Sequence, residues 1–133
     1  MADPIITNVD TGTVVIKDNE FRDDVVTFTG AATYEAGTIL ARDSVSLKLI
    51  AFVKGGSTNE NGIPKAVLIE DLAATGAGDL PARPCVAGSV EKGRLIILAD
   101  GDDSNVDAVV IDQLRDYGIV ALDVAELSAL DNQ

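Results

Sequence analysis

The sequence predicts a mainly β domain with one small helix, an α+β chain in which strands dominate. Three observations lead there. Apolar residues come in short β-branched runs, such as Val25-Val26-Thr27-Phe28-Thr29 and Val67-Leu68-Ile69, each stopped by Gly, Asp or Glu. A single segment, residues 105–117, repeats apolar residues at helical spacing. Hydrophobic residues make up 47% of the chain but aromatics only 4%, so the core must be assembled from Val, Ile, Leu and Ala. A chain of 133 residues is most simply one domain and is long enough to bury a core.

Residues 1–19 read as an N-terminal arm. Pro4, Ile5, Ile6, Thr7 and Val9, then Val14, Val15 and Ile16, form small apolar clusters separated by Asn8, Asp10 and Gly12. Such a segment suits an extended arm laid on a partner. An edge hairpin turning at Asp10-Thr11-Gly12 fits the same residues. Residues 20–125 form the β-rich domain, and residues 126–133 are a tail.

Within the domain, Val25 to Thr29 is a strand closed by Gly30, and residues 31–36 are a connection. Gly37-Thr38-Ile39-Leu40-Ala41-Arg42 leads through an Asp43-Ser44 turn into Val45, Leu47 and Leu49. These alternate with Ser46, Lys48 and Ile50 as in a half-buried strand that continues to Val53. KGGSTNEN at 54–61 is a loop. The stretch 62–88 organises the rest. A buried strand at Ala66-Val67-Leu68-Ile69 stops at Glu70-Asp71. A corner of small residues follows at 73–79, where Gly76 and Gly78 can take positive φ, and the chain returns through Pro81 and Pro84. Val86 to Val90 and Arg94 to Leu98 are further strands around a Glu91-Lys92-Gly93 turn. The helix at 105–117 takes Ser104 as N-cap and puts Val106, Val109, Val110, Leu114 and Tyr117 on one face. Gly118 ends it, and Ile119 to Leu122 is the last strand.

Composition narrows the function. Net charge is −12 and the sequence pI is about 4.1. Nucleic acid and anionic membranes need clustered Lys and Arg, and the basic residues here are scattered, so neither is an expected partner. Mean hydropathy of +0.22 fits either a Val/Ala-rich monomer or a small homo-oligomer that buries apolar surface. No basic-then-apolar leader opens the sequence, and no apolar run approaches the ~20 residues of a membrane span, so synthesis in the cytoplasm is expected.

Chemistry is hard to find. There is no His, hence no Cys–His dyad and no usual zinc site. Cys85, the one cysteine, reads as a packed small hydrophobe. Asp100, Asp102, Asp103 and Asp107 are the best cation candidates, but the spacing misses the calcium-loop pattern, and the same residues make a solvated turn before a helix. Gly76-Ala77-Gly78 lacks the remaining residues of a phosphate-binding loop. Arg42, Arg83 and Arg94 flank strands and either pair with carboxylates or mark subunit contacts. The expectation is a protein that is not an enzyme, without catalytic residues, cofactor or metal.

The order of segments resembles the head decoration proteins of tailed bacteriophages, the lambda D type. The resemblance rests on Gly37 to Arg42 with its two-residue turn, on Ala66 to Asp71, on the small-residue loop 73–79, and on Leu114-Arg115-Asp116-Tyr117-Gly118-Ile119-Val120. It covers roughly residues 21–122. It implies a β-clip-type domain with an extended N-terminal arm and a homotrimer on the outer capsid surface at three-fold and quasi-three-fold positions. It implies the major capsid protein as partner, the virion as location, and stabilisation of the expanded, DNA-filled head. It also implies that the arm adds to capsid-protein strands. The second reading is a small acidic domain of a phage tail or surface assembly that binds calcium or a sugar.

Overall fold

Strand β4 (Ile39–Arg42) lies at the centre of the fold and is covered on both faces. Ile39, Leu40 and Ala41 are all fully buried. Their side chains alternate, so Ile39 and Ala41 join one apolar cluster while Leu40 joins a second on the opposite face. A continuous apolar run is what a strand buried on both sides requires. Its neighbour β6 (Pro64–Val67) divides in the same way, Val67 into the first cluster and Ala66 into the second.

The computed structural model describes residues 13–123. The larger sheet adds β1 (Val15–Phe21), β2 (Asp24–Phe28), β5 (Leu49–Ala51), β8 (Gly78–Ala82), β9 (Cys85–Glu91) and β10 (Ile119–Leu122). Its order is β1-β9-β6-β4-β5-β2-β8, with β10 pairing in parallel along β9, and it curls into a half-barrel. The short strands β3 (Ala32–Tyr34) and β7 (Leu72–Ala74) form a separate ribbon. Tyr34 on this ribbon packs on Phe28 of β2, ring centroids 4.1 Å apart, and closes the second cluster.

The first cluster is closed by the helix α1 (Ala108–Asp116), which inserts Val110 and Leu114, and by Leu95 and Ile97. The helix begins later than its periodicity suggests. Asp107, not Ser104, is the N-cap, its carboxylate accepting from the N–H groups of Val109 and Val110 at 3.1 Å each. The Ser104 N–H instead donates to Asp102. Val106, Val110 and Leu114 are buried, but Val109 is 61% exposed. Tyr117 also faces outward, with the Lys65 ammonium 3.5 Å above its ring. Gly118 takes φ +95°, the left-handed turn that frees the chain into β10.

Three further expectations change. Arg94 to Leu98 is no strand but a strap opened by a 3-10 turn (Lys92–Arg94), holding the sheet through one parallel bridge, Thr38 to Ile96. Leu95 and Ile97 are buried, so burial alone produced the strand-like pattern. Residues 31–36 are more than a connection, since they hold β3. In the alternating run from Val45, only residues 49–51 form a strand. The Asp43 carboxylate takes the N–H groups of Val45 and Ser46, which a ladder would otherwise use.

Candidate docking surface

The described chain enters the domain as extended backbone. The Val14 carbonyl accepts from the Glu91 N–H at 2.8 Å, and β1 then runs antiparallel to β9 from Val15↔Val90 to Phe21↔Cys85. Of the arm residues expected to reach a partner, Val14 is buried in the first cluster and Val15 and Ile16 are half-buried. Pro4, Ile5, Ile6, Thr7 and Val9 lie outside the described residues, as does the tail at 126–133. Strand β1 runs through residue 19, so residues 15–19 are built into the sheet as the root of whatever precedes them.

An irregular register locks that root. Asp18 adopts φ 57°, and the pairing shifts on either side of it. The displaced Asn19 turns its amide onto β9, donating to the Ser89 carbonyl at 2.9 Å and to the Cys85 sulfur at 3.4 Å. Gly88 faces this bulge with φ +106°, and a Cβ there would lie 2.6 Å from both Asn19 Cα and Asp18 O. Sequence reading missed Asp18, Asn19 and Gly88. The available signals were an Asp-Asn pair inside a strand-like run and a lone Gly inside an apolar one, both marks of a bulge.

Cys85 is buried behind this joint. Burial pushes its thiol upward, and Sγ sits 3.1 Å from the Ala87 carbonyl, so it is a packed group and not a poised thiolate.

Beside Val14 lies an open groove of about 390 Å³ bordered by Glu35, Asp71, Arg94, Asp102 and Asp103. Two of its carboxylates, Asp71 and Asp102, have protein partners. Asp71 accepts from the Ala36 N–H at 2.8 Å. Hydrogen bonds from Ser104 hold Asp102 below the usual carboxylate range. Asp107 is held low first by the Lys54 ammonium, 2.6 Å away, and then by the helix N–H groups. Among the described residues, no three acidic or cysteine side chains form a group that could hold a metal ion. Of the strand-flanking Arg42, Arg83 and Arg94, Arg42 pairs with Asp24 at 2.7 Å and Arg83 with Asp23 at 3.5 Å.

The outermost strand at the other end of the sheet, β8, carries Pro81, which lacks an N–H to offer a further strand. With β1 bulged and β8 carrying a proline, the molecule presents loops and an N-terminal root for contact.

The family model of bacteriophage lambda head decoration protein D matches residues 7–119. The chain belongs to that family. The match runs from within the arm, through the bulged root and the sheet, to the start of β10. Head decoration proteins are structural phage proteins, and capsid decoration is therefore the role of this chain. The carboxylates of Asp24, Asp79 and Asp107 are engaged in ion pairs or a helix cap, which suits a structural role. No curated protein matches the chain. Among the described residues, no helix is long and apolar enough to cross a membrane.

Proposed function

We propose that this decoration protein sits as a homotrimer on the outer surface of a phage head, at three-fold and quasi-three-fold positions. There it binds the major capsid protein and stabilises the expanded, DNA-filled shell. The observation that carries this reading is the family match across residues 7–119. The domain is read as the β-clip type, with residues 1–19 as its capsid-contact arm. Pro4, Ile5, Ile6, Thr7 and Val9 reach the capsid protein, while Val14, Val15 and Ile16 tie the arm to β9.

The mechanism needs no catalysis or cofactor. An arm that adds to a partner's strand binds through main-chain hydrogen bonds, so unremarkable side chains suffice. The domain and arm together span a junction between capsomers. Binding only the assembled state stabilises it by about 2.7 kcal/mol per site at a hundredfold excess over Kd. Repeated over a shell, that modest term resists internal pressure. Net charge of −12 keeps the protein off the packaged genome.

The test compares the full chain with a variant lacking residues 1–12 in co-sedimentation with undecorated, expanded capsids. The cut stops before Val14 because its carbonyl is already bonded to the Glu91 N–H and β1 follows at once. The truncated domain should melt like the full chain yet lose most capsid binding. Undiminished binding overturns the arm's role, and failure of both proteins to bind overturns the capsid reading.

A further inference from the structure

The loop between β4 and β5 exposes aliphatic side chains on a stiff frame. Val45 and Leu47 are 75% and 68% exposed. The Asp43 carboxylate fixes the N–H groups of Val45 and Ser46 at 2.8 and 3.0 Å. The Arg42 guanidinium donates to the Leu47 carbonyl at 3.1 Å, and the Ser44 N–H donates to the Asn59 carbonyl at 3.0 Å. Leu47 itself adopts φ 65°, where Asn is at ease and a bulky side chain is an outlier. Neither burial nor backbone preference explains a leucine here, and strain of this kind gathers at functional contacts.

A cleft lies next to the loop. The Lys48 ammonium reaches the Asp79 carboxylate at 2.6 Å, and the Thr27 hydroxyl donates to the same carboxylate at 2.8 Å, so the loop and the β7–β8 corner are surface neighbours. Residues 74–80 border about 190 Å³ of space walled mostly by Ala and Gly. A cavity of about 150 Å³ admits a benzene ring, so one aliphatic side chain fits. The cations of this patch are paired within the chain, Lys48 with Asp79 and Arg42 with Asp24.

We infer that the loop tip inserts Leu47 into the 74–80 cleft of a second copy of this chain, with Val45 packed on the rim, and that this contact closes the ring. A closed ring needs two different, complementary patches on each subunit, and here a projection and a cleft of matching size adjoin one another. Copies that each carry −12 repel, and at this patch Asp24 and Asp79 are already neutralised by Arg42 and Lys48, which lowers that repulsion. The inference rests on the homotrimer proposed above and names its contact.

The experiment decorates expanded capsids with wild type, Leu47→Asn and Ala77→Arg, measuring affinity and imaging the bound protein, with a thermal melt of each unbound protein. Asn suits the left-handed backbone, so Leu47→Asn should melt at or above the wild-type temperature. It should nonetheless bind shells at least tenfold more weakly and lose the three-lobed density. Ala77→Arg blocks the cleft from the other side and should do the same. If the wild type sits on shells as single copies, the homotrimer reading itself falls. If the wild type forms trimers and both folded variants form them equally well, only the contact assigned here is wrong. Trimers that persist with weaker shell binding assign the loop to the capsid protein and overturn the inference.

Discussion

Replacing Gly88 by Ala strikes the joint that anchors the arm. Gly88 is held from both sides, its N–H donating to the Gly118 carbonyl at 3.0 Å while its α-carbon faces the Asp18–Asn19 bulge. It cannot retreat from β1 without breaking its bond to Gly118. An added Cβ meets Asn19 Cα and Asp18 O at 2.6 Å, both of them backbone. Left-handed φ costs a non-glycine residue about 1–2 kcal/mol. Overpacking against an unyielding wall adds about 1–3 kcal/mol, for about 2–5 kcal/mol in all. Typical domains have about 5–15 kcal/mol, so the loss is a large share of stability. At a few degrees per kcal/mol, the melting temperature should fall by roughly 10–20 °C. Gly76→Ala is the control, with open space around its Cβ. It should leave stability unchanged or raise it by about 0.4–1 kcal/mol. The assay is thermal and urea denaturation followed by circular dichroism. Wild-type stability in Gly88→Ala would refute the argument that the bulge needs glycine.

Three more outcomes follow from the packing and the charges. Leu114→Ala empties a fully buried site and should cost about 2–5 kcal/mol in urea unfolding, whereas Val109→Ala, on the same helix but 61% exposed, should stay within about 0.5 kcal/mol. The hydrogen-bonded Arg42 guanidinium holds the Asp24 carboxyl below its ordinary range, so this pair contributes stability above the ordinary carboxylate pKa and loses it as pH falls through the lowered folded value. Asp24→Asn should therefore cost about 1–2 kcal/mol at pH 7, with the gap to wild type closing below about pH 3.9; a gap that persists unchanged into strong acid contradicts this. Millimolar calcium should not move the melting temperature of wild type or of Asp102→Asn, because Asp102 is engaged with Ser104 and Asp107 with the helix and Lys54.

Where a local pattern and tertiary demand coincide, the sequence was readable. Val25 to Phe28, Ile39 to Arg42, Val86 to Val90 and Ile119 to Leu122 are apolar runs bounded by breakers, and each lies in a strand. Val110 and Leu114 sat at helical spacing and are buried. Reading failed where side chains captured backbone donors or where pairing was distant. Asp43 turned the alternating Val45 and Leu47 into a loop tip, and Asp107 delayed the helix. β3 pairs with β7 across some forty residues, and nothing within Ala32-Thr33-Tyr34 announces a partner that far away. The small-residue corner was half legible, since Gly78 takes positive φ and Gly76 does not. The docking surface was harder still. Its root depends on a bulge that only the β1–β9 register reveals, and its exposed loop reads in sequence as an ordinary half-buried strand.

Electron cryomicroscopy of expanded, undecorated capsids mixed with the purified full chain tests the central claim most directly. Three-lobed density should appear on the outer surface at three-fold and quasi-three-fold positions, with each lobe fitted by the curled sheet and its β1 root directed toward the shell. Bare shells at saturating protein, or single copies seated away from those positions, would contradict it.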